Sequence, residues 1–400
     1  MPAQPGGNVS QQSALSFNNT QIAFQDKSVK ELKTSYRIFK IISNPFLSRT
    51  GQKLVKWAVR VGLPVTSVIR STVFKQFCGG EDIAGCEPAI ARLANGGVGT
   101  ILDYSVEGSQ DEQSFSRTAD EIIRIIKRAQ HDERIPLAVF KISGIGRFEL
   151  LKKVSAGESL TAAERAEWTK LNGRVSMICA AAEHAGVPVM IDAEESWIQP
   201  AIDKLATEMM KRFNRDKAVV YNTYQLYLRH KEESLKADIE TARHSGYILG
   251  AKLVRGAYME KERARATELG YPSPVYPDKD DTDNAYNKSL QYCIENLQQV
   301  ALVAGTHNEE NCMLLTRLMD LQRINKQHPH VYFAQLLGMA DHISFNLAHA
   351  GYRVAKYMPY GPVKAVLPYL FRRAEENTSV TGHAKRELSL LSAELKRRKH

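Results

Sequence analysis

Apolar runs of four to eight residues alternate with helical stretches through most of the chain, from about residue 98 onward. Each run ends in a polar residue, and the spacing predicts buried strands separated by helices. The predicted strands are residues 98–103, 136–142, 187–192, 218–223, 247–254, 300–306, 331–336 and 353–357. The predicted helices are residues 113–128, 162–185, 200–213, 226–245, 283–297, 309–321 and 341–350, with an eighth opened by Pro362.

This alternation predicts an α/β fold with a parallel sheet, because a helix must return the chain to the same end of the sheet. Eight strand–helix repeats favour a (β/α)8 TIM-like barrel over an open, doubly wound sheet. No G-x-G-x-x-G motif stands where a strand meets a helix, so a Rossmann nucleotide site is not supported.

The segments that flank the barrel have a different character. Residues 1–27 are polar and rich in Gly, Gln, Asn and Ser, and we expect them to be disordered. Residues 28–77 carry apolar side chains at helical spacing and predict an N-terminal helical extension. The barrel is predicted to follow over residues 78–378, and residues 379–400 form a basic C-terminal tail.

Composition narrows the class of protein. Of the 400 residues 43% are hydrophobic, which is ample for a packed core, and the net charge is +10. That charge suits nucleic acid, an anionic membrane surface or acidic ligands. Five cysteines without C-x-x-C spacing predict reduced thiols and no zinc site. With no signal peptide, presequence or transmembrane run in the sequence, a bacterial cytoplasmic location is the simplest expectation.

Polar side chains stand at the ends of nearly all the predicted strands, where a barrel places its active site. Charges inside apolar runs need partners, and we expect Lys141 to pair with Glu107 and Asp192 with Arg372. The strand-end residues are Asp103, Lys141, Asp192, Asn222, Lys252, Arg255, Thr306, His307, Gln335, Leu336 and Tyr357.

The last predicted helix carries a candidate anion clamp. Tyr369, Arg372, Arg373 and Glu376 lie at i, i+3, i+4 and i+7, which places them on one helical face. Two adjacent guanidiniums beside an aromatic ring suit a planar anion such as a carboxylate. A solvated face with an Arg372–Glu376 ion pair explains the same pattern.

The sequence after the fifth strand, Arg255-Gly256-Ala257-Tyr258, would let a flat or phosphate-bearing ligand approach the backbone. A helix entry that needs glycine is the alternative interpretation. Lys141 or Lys252 could instead form a Schiff base, as in barrel aldolases. His307 has no second ligand at metal spacing, so no metal site is predicted. Nucleic-acid binding is suggested only by the charge, without interleaved aromatic and basic patches.

Several motifs together resemble the proline dehydrogenase family. The resemblance runs from about residue 78 to residue 377 and rests on ILDYSVEG, VMIDAEES, NTYQ, KLVRGAY, GTHN, QLLGM and YLFRRAEEN. It implies a distorted (β/α)8 barrel that binds FAD and oxidises L-proline to Δ1-pyrroline-5-carboxylate. It also implies that the electrons pass to a quinone and that this is the first step of proline catabolism. Without a large aldehyde-dehydrogenase domain, we expect the monofunctional form.

The resemblance also implies roles for single residues. Arg372 and Arg373 would grip the proline carboxylate, and Asp192 and Lys252 would be catalytic. The other implied substrate-binding residues are Lys141, Leu336, Tyr357, Tyr369 and Glu376. The implied FAD-binding residues are Ala193, Asn222, Lys252, Arg255, Gly256, Ala257, Thr306 and His307.

Four positions refine what the resemblance implies. The family's hydroxyproline-preferring branch has a smaller residue at the position of Tyr357, so tyrosine points to proline. Many bacterial members have the residues at Lys252 and Arg255 exchanged, and glutamine is common at the position of Asn222. These departures bear on flavin potential and cofactor affinity more than on the type of reaction.

The tail alternates leucines with basic residues between Arg386 and His400. A solvated terminal helix is one interpretation, and an amphipathic contact with anionic membrane lipid is the other. The second interpretation suits an enzyme that passes electrons to a membrane quinone, and it would place the tail at the inner face of the cytoplasmic membrane.

Overall fold

The computed structural model describes residues 15–60, 65–105, 111–379 and 383–399. At its centre eight parallel strands close into a barrel in chain order. All eight predicted strands are confirmed, with ends that differ by at most three residues. The strands are β1 (Gly99–Tyr104), β2 (Leu137–Phe140), β3 (Val189–Ile191), β4 (Val220–Gln225), β5 (Leu249–Val254), β6 (Val300–Gly305), β7 (Val331–Leu336) and β8 (Val354–Tyr360).

Helices surround the barrel and extend it at both ends of the chain. The first five, before the barrel, are α1 (Thr20–Ala23), α2 (Val29–Ile42), α3 (Pro45–Arg60), α4 (Thr66–Ile69) and α5 (Lys75–Phe77). The next six are α6 (Glu87–Asn95), α7 (Glu112–Ala129), α8 (Phe148–Ser155), α9 (Ala162–Ala185), α10 (Gln199–Phe213) and α11 (Lys231–Ser245). The last six are α12 (Met259–Leu269), α13 (Lys279–Glu295), α14 (Glu309–Leu321), α15 (Asp341–His349), α16 (Leu367–Ser379) and α17 (His383–Arg397).

The predicted start of the last barrel helix is wrong. Pro362 opens a turn in which its carbonyl accepts from the amides of Ala365 and Val366, at 2.8 and 3.2 Å. The helix α16 begins only at Leu367, so Pro368 lies in its first turn. A proline there loses no hydrogen bond, because the first amides of a helix have no partner within it. The clamp residues still share one helix.

Alternating side chains divide each strand between the barrel interior and the surrounding helices. The interior is filled by a layer of apolar side chains from every strand except β5, including Ile101, Met190, Tyr221 and Tyr357. On the outside a larger cluster joins the strands to the helices. Side chains that lie one step above the interior layer therefore project toward the carboxyl mouth of the barrel.

The predicted disorder of residues 1–27 is wrong for the described part of that segment. From residue 15 the chain is folded: α1 lies here, and Phe17 and Phe24 are buried. Asn19 caps α1 by accepting a hydrogen bond from the amide of Ile22 at 3.1 Å. Residues 1–14 lie outside the described residues.

The C-terminal leucines do not form the exposed apolar face that the membrane interpretation of the tail requires. The tail forms α17, which packs against α1, α2 and α16. Leu390 and Leu391 are buried in a cluster shared with the N-terminal helices, and Leu388 and Leu395 pack against it. The apolar face of the tail is therefore covered by the protein's own chain.

The same cluster holds α16 over the barrel. Leu367, Tyr369 and Leu370 of α16 pack in it together with side chains of the N-terminal region and α17. The two flanking regions thus form the support for the helix that carries the predicted clamp. Among the described residues no helix is both long and apolar enough to span a membrane.

Candidate active site

A cavity of about 300 Å³ opens at the carboxyl ends of the strands, beneath α16. This volume is at the lower end of the range for small-molecule sites. Fourteen of the sixteen predicted site residues line it: Lys141, Asp192, Ala193, Lys252, Arg255, Gly256, Ala257, Thr306, His307, Leu336, Tyr357, Tyr369, Arg372 and Arg373.

The cavity lining is strongly cationic. Among the residues that the structure describes, five cations line it, the three side chains at strand ends and the two arginines of α16, against the two carboxylates of Asp103 and Asp192. A concave surface with this imbalance concentrates anionic ligands. The balance suits a substrate or cofactor with negative charge. The cations are Lys141, Lys252, Arg255, Arg372 and Arg373.

Asn222 is a predicted site residue that the structure does not bring to the cavity. It lies on the outer side of β4, buried, where its amide donates to Asp203 of α10 at 2.9 Å. Its neighbours Thr223 and Gln225 line the cavity instead. The signal was present in the sequence, because side chains on one face of a strand are two residues apart.

An ion pair and a phenol form the floor of the cavity. The buried ammonium of Lys252 pairs with Asp192 and donates to the hydroxyl of Tyr357 at 2.7 Å. The same ammonium lies 4.8 Å from the centre of the Tyr357 ring. Asp192 therefore pairs with Lys252 of β5, and its pairing with Arg372 stays a prediction.

Burial keeps Tyr357 protonated, and so a hydrogen-bond donor. Removal from water raises the pKa of its hydroxyl far above the ordinary value, and the negative charges of Asp192 and Asp103 add to the shift. The hydroxyl lies 3.5 Å from the sulfur of Met190 in the layer below. Lys252 and Tyr357 thus present a fixed, polar floor to the cavity.

Arg255 is held in the wall by a network from three elements. Its guanidinium donates to Asp283 at 2.8 Å, to Thr306 at 2.8 Å and to Asn311 at 2.6 Å. Burial raises the pKa of Asp283, but the hydrogen bond from Lys279 and the charge of Arg255 lower it by more. The net result is a pKa below the ordinary value. The arginine is therefore fixed in place before any ligand binds.

Gly256 is required by its backbone conformation. Its φ of +134° lies in the region that favours glycine, and a Cβ there would fall 1.7 Å from the ring of Tyr227. Gly256 and Ala257 are exposed at the cavity mouth, so their backbone is open to a ligand. Tyr258, which follows them, also lines the cavity, although the sequence analysis gave it no role.

The arginines of α16 close the cavity from above. Arg373 and Tyr369 are buried, with the guanidinium 5.1 Å from the ring centre, which confirms that they share a face. Arg372 lines the cavity half-buried. Glu376 belongs to the same helix, but its side chain lies outside the described residues, as does Glu107, the predicted partner of Lys141.

The loop after β3 carries Glu194, a buried carboxyl that was not among the predicted site residues. Burial raises its pKa to about 7, although hydrogen bonds from Ser143 act in the opposite direction. The amide of Ser143 donates to it at 2.9 Å. In turn its own amide donates to Gln199 at 2.8 Å, which fixes the loop after β3.

Comparison with known proteins places these features in a family. The family model described as proline dehydrogenase matches residues 86–386. The chain is 44% identical to human mitochondrial proline dehydrogenase 1 over 327 residues, which cover 79% of this chain and 52% of the human protein. It is 32% identical to mitochondrial proline dehydrogenase 1 of Dictyostelium discoideum over 426 aligned positions, which cover 95% and 74% of the two chains.

A solved structure agrees on the fold. Proline utilization A of Bdellovibrio bacteriovorus superposes with a TM-score of 0.71 at 21% identity, over 92% of this chain. This chain spans 40% of that protein's length. The family model covers most of the chain and includes the whole barrel, α16 and the cavity. The chain therefore belongs to the proline dehydrogenase family.

Proposed function

We propose that the protein oxidises L-proline to Δ1-pyrroline-5-carboxylate, with FAD as the hydride acceptor and a quinone as the acceptor that follows. In this reaction the ring carbon next to nitrogen loses a hydride and the nitrogen loses a proton, which leaves a C=N bond. The oxidation would be the first step in the breakdown of proline to glutamate.

The observation that best supports the proposal is that one cavity is lined by two arginines on one side and by a lysine–aspartate pair with a tyrosine on the other. Arg372 and Arg373 line its roof, and the Lys252–Asp192 pair with Tyr357 forms its floor. Paired guanidiniums bind a carboxylate with defined geometry. A small cyclic amino acid held by its carboxylate at the roof would direct its ring toward the floor.

The residues present fit FAD as the cofactor. Arg255, Thr306 and His307 offer donors along one side of the cavity, and the Gly256–Ala257 backbone is open at its mouth. Such donors suit a flavin ring and its phosphate-bearing chain. When bound, FAD supplies the hydride-accepting chemistry that no side chain can provide. Asn222, on the outer side of β4, would act on the flavin only through its neighbours.

The chain's own residues bind the substrate, orient it and exclude water from it. We assign the carboxylate grip to Arg372 and Arg373, and the wall around the ring to Tyr357, Tyr369 and Leu336. Holding the substrate in one orientation supplies much of the rate acceleration in such reactions. Lys141 and Lys252 add positive charge that favours the neutral amine of proline, the form able to lose a hydride.

Tyr357 is the residue that we propose favours proline over hydroxyproline. Its ring is buried and its hydroxyl is engaged by Lys252, so the side chain cannot swing aside without breaking that bond. A hydroxyl group added to the substrate ring on this side would meet a fixed aromatic wall. A smaller residue here would remove that obstacle.

The proposal is tested by an assay of the purified protein with a soluble quinone. L-Proline should give an imine product, which o-aminobenzaldehyde traps as a coloured adduct, and trans-4-hydroxy-L-proline should react at least tenfold less efficiently. Boiled protein and D-proline are the controls. No adduct with L-proline, in the presence of added FAD and quinone, would refute the proposed reaction.

We also propose a peripheral contact with an anionic membrane, through α2 in place of the tail. Lys30, Lys33, Arg37 and Lys40 are exposed and lie at i, i+3, i+7 and i+10, which forms one basic stripe. No carboxylate of the described residues forms an ion pair with these four. Such a stripe is attracted to anionic lipid by about 1 kcal/mol per cation.

Exposed apolar side chains lie where the stripe ends. Ile41 is 53% exposed at the end of α2, and Phe46 and Leu47 are 75% and 47% exposed at the start of α3. Asn44 caps α3 by accepting from the amides of Phe46 and Leu47, which fixes the corner between the helices. Cations beside exposed apolar side chains are typical of interfacial membrane binding.

Vesicle flotation tests this contact. The triple variant Lys33→Glu, Arg37→Glu and Lys40→Glu should lose binding to phosphatidylglycerol vesicles at low salt. A control with the same change of charge on α10, Lys204→Glu, Lys211→Glu and Arg212→Glu, should keep most of it. Equal loss in both variants would mean that net charge alone drives binding and would refute the α2 surface.

A further inference from the structure

A second buried lysine of the barrel wall, Lys356 of β8, lies outside the cavity. Its neighbours Ala355 and Tyr357 belong to the interior layer, so Lys356 points outward. Its side chain is 0% exposed. A lysine is almost never buried to this extent without partners, and its position needs an explanation.

The partners of Lys356 belong to the segment that follows β7. Its ammonium donates to the carbonyl of Leu336 at 3.2 Å and to that of Met339 at 2.6 Å. It also pairs with the carboxylate of Asp341 at 2.7 Å. An ammonium has three N–H donors, and these three acceptors match that number. All of them lie within residues 336–341, which we call the β7–α15 loop.

This loop forms part of the cavity, because Leu336 and Met339 both line it. Its backbone is left-handed at two positions: Gly338 has a φ of +76°, which glycine adopts freely, and Ala340 has a φ of +52°, which is strained because alanine carries a side chain. A left-handed conformation costs a residue other than glycine about 1 kcal/mol. Such a loop keeps its shape only when contacts from outside hold it.

Those contacts come from both ends of the chain. Asp341 shares its carboxylate between Lys356 and Lys27, which lies 2.8 Å from its second oxygen. Gln76 donates to the carbonyl of Gly338 at 2.8 Å. Glu387 of α17 accepts from the amide of Ala340 at 2.5 Å. The N-terminal region and the tail thus reach the cavity wall through this loop.

We infer that Lys356 is a positioning residue that fixes the β7–α15 loop, and with it the cavity wall formed by Leu336 and Met339. Because Lys27 also pairs with Asp341, the position of the loop depends on the N-terminal helical region as well. The inference rests on the proposed function, in which Leu336 confines the substrate ring. Loosening the loop should weaken the binding of proline and admit a larger ring, while the floor residues keep their geometry.

The test variant is Lys356→Met, which keeps the length of the side chain and removes the ammonium. The KM for L-proline should rise about tenfold with kcat changed less than twofold. The efficiency with L-pipecolate, the six-membered analogue, should rise relative to that with proline. Both effects follow from a displaced wall, whereas a general loss of stability would lower the amount of active enzyme and leave KM and selectivity unchanged.

The matched control is Lys231→Met. Lys231 is also buried in an ion pair, 2.7 Å from Asp203, but it joins α11 to α10 away from the cavity. The Lys231→Met variant should be less stable than wild type but should keep its KM for proline and its selectivity for ring size. Lys27→Met is the milder test, because Lys27 is partly exposed, and it should raise the KM about threefold.

The outcomes separate the inference from the proposed function. If wild-type protein does not oxidise proline, the proposed function fails. If wild type is active and Lys356→Met keeps the KM and selectivity of wild type, the inference is wrong. If Lys356→Met does not fold, Lys27→Met decides: an unchanged KM and selectivity there would refute it.

Discussion

Two buried lysines lie on opposite faces of the barrel wall, one toward the cavity and one toward the surrounding loops and helices. Lys252 on β5 and Lys356 on β8 are 4% and 0% exposed, and each pairs with an aspartate. Lys252 points into the cavity and meets Asp192 and Tyr357. Lys356 points outward and meets a loop backbone and Asp341.

The difference follows from the side of the strand on which each lysine lies. A charge that faces the mouth of a barrel meets ligands, and a charge that faces the helices meets backbone and other protein charges. Substitutions on the inner face should therefore change catalysis while the fold is kept. Substitutions on the outer face should change stability or the shape of the wall.

The largest effect is expected at Arg373, above the inner face. Arg373→Met should raise the KM for proline about 100-fold, because a charged hydrogen bond contributes up to about 3 kcal/mol. Bound FAD should remain, since the residues that we propose bind the flavin lie at the floor and side of the cavity. Arg215→Met, an exposed arginine at the other end of the barrel, is the control. A KM equal to that of wild type would exclude Arg373 from carboxylate binding.

Lys252→Met should have the next largest effect. It leaves Asp192 without its cation and Tyr357 without its donor, so kcat should fall about 30-fold. Stopped-flow reduction by proline, monitored at the flavin band, measures the step directly. Retention of the wild-type rate of reduction would show that the inner lysine serves only to hold the wall, and the contrast with Lys356 would disappear.

Glu194 allows a test by pH, because burial raises its pKa to about 7 from the ordinary 4.5. Its protonated form stabilises the fold below about pH 4.5, and this contribution is lost as the pH rises through 7. Glu194→Gln should therefore gain stability over wild type between pH 5 and pH 8, by about 3 kcal/mol at most. Urea unfolding of both proteins at pH 5 and at pH 8 measures this difference in the free energy of unfolding. A difference between variant and wild type that is the same at both pH values would contradict the raised pKa.

The smallest catalytic effect is expected at Asn222, on the outer face of β4. Asn222→Ala should cost about 1 kcal/mol of stability, since it removes the hydrogen bond to Asp203. The KM for proline and the FAD content should stay close to wild type. Thr223→Val, one residue further and inside the cavity, is the matched comparison. Loss of FAD from Asn222→Ala alone would return Asn222 to the cofactor site.

The barrel was predictable because its signals are local. Eight apolar runs, each closed by a polar residue, specified eight strands, and the spacing from Tyr369 to Arg373 specified a shared helical face. The position of Asn222 was mispredicted because the alternation of faces along β4 was not applied; in the structure Thr223, and not Asn222, pairs with Lys252. A two-residue periodicity applied to β4 would have corrected it.

The remaining features depend on contacts between distant parts of the chain. Nothing in the sequence near Leu390 indicates that the N-terminal helices cover it, and both charged and apolar residues there suited a membrane. Likewise the bonds of Lys356 span 17 and 20 residues, and the pair between Asp341 and Lys27 spans more than 300. Such pairings require the folded chain.

The most direct test of the account is a visible absorption spectrum of the purified protein, followed by anaerobic addition of L-proline. We predict a visible flavin band that bleaches when proline is added and returns with quinone. A band that proline leaves unchanged would contradict the proposed substrate. No band, even after FAD is supplied, would contradict the account as a whole.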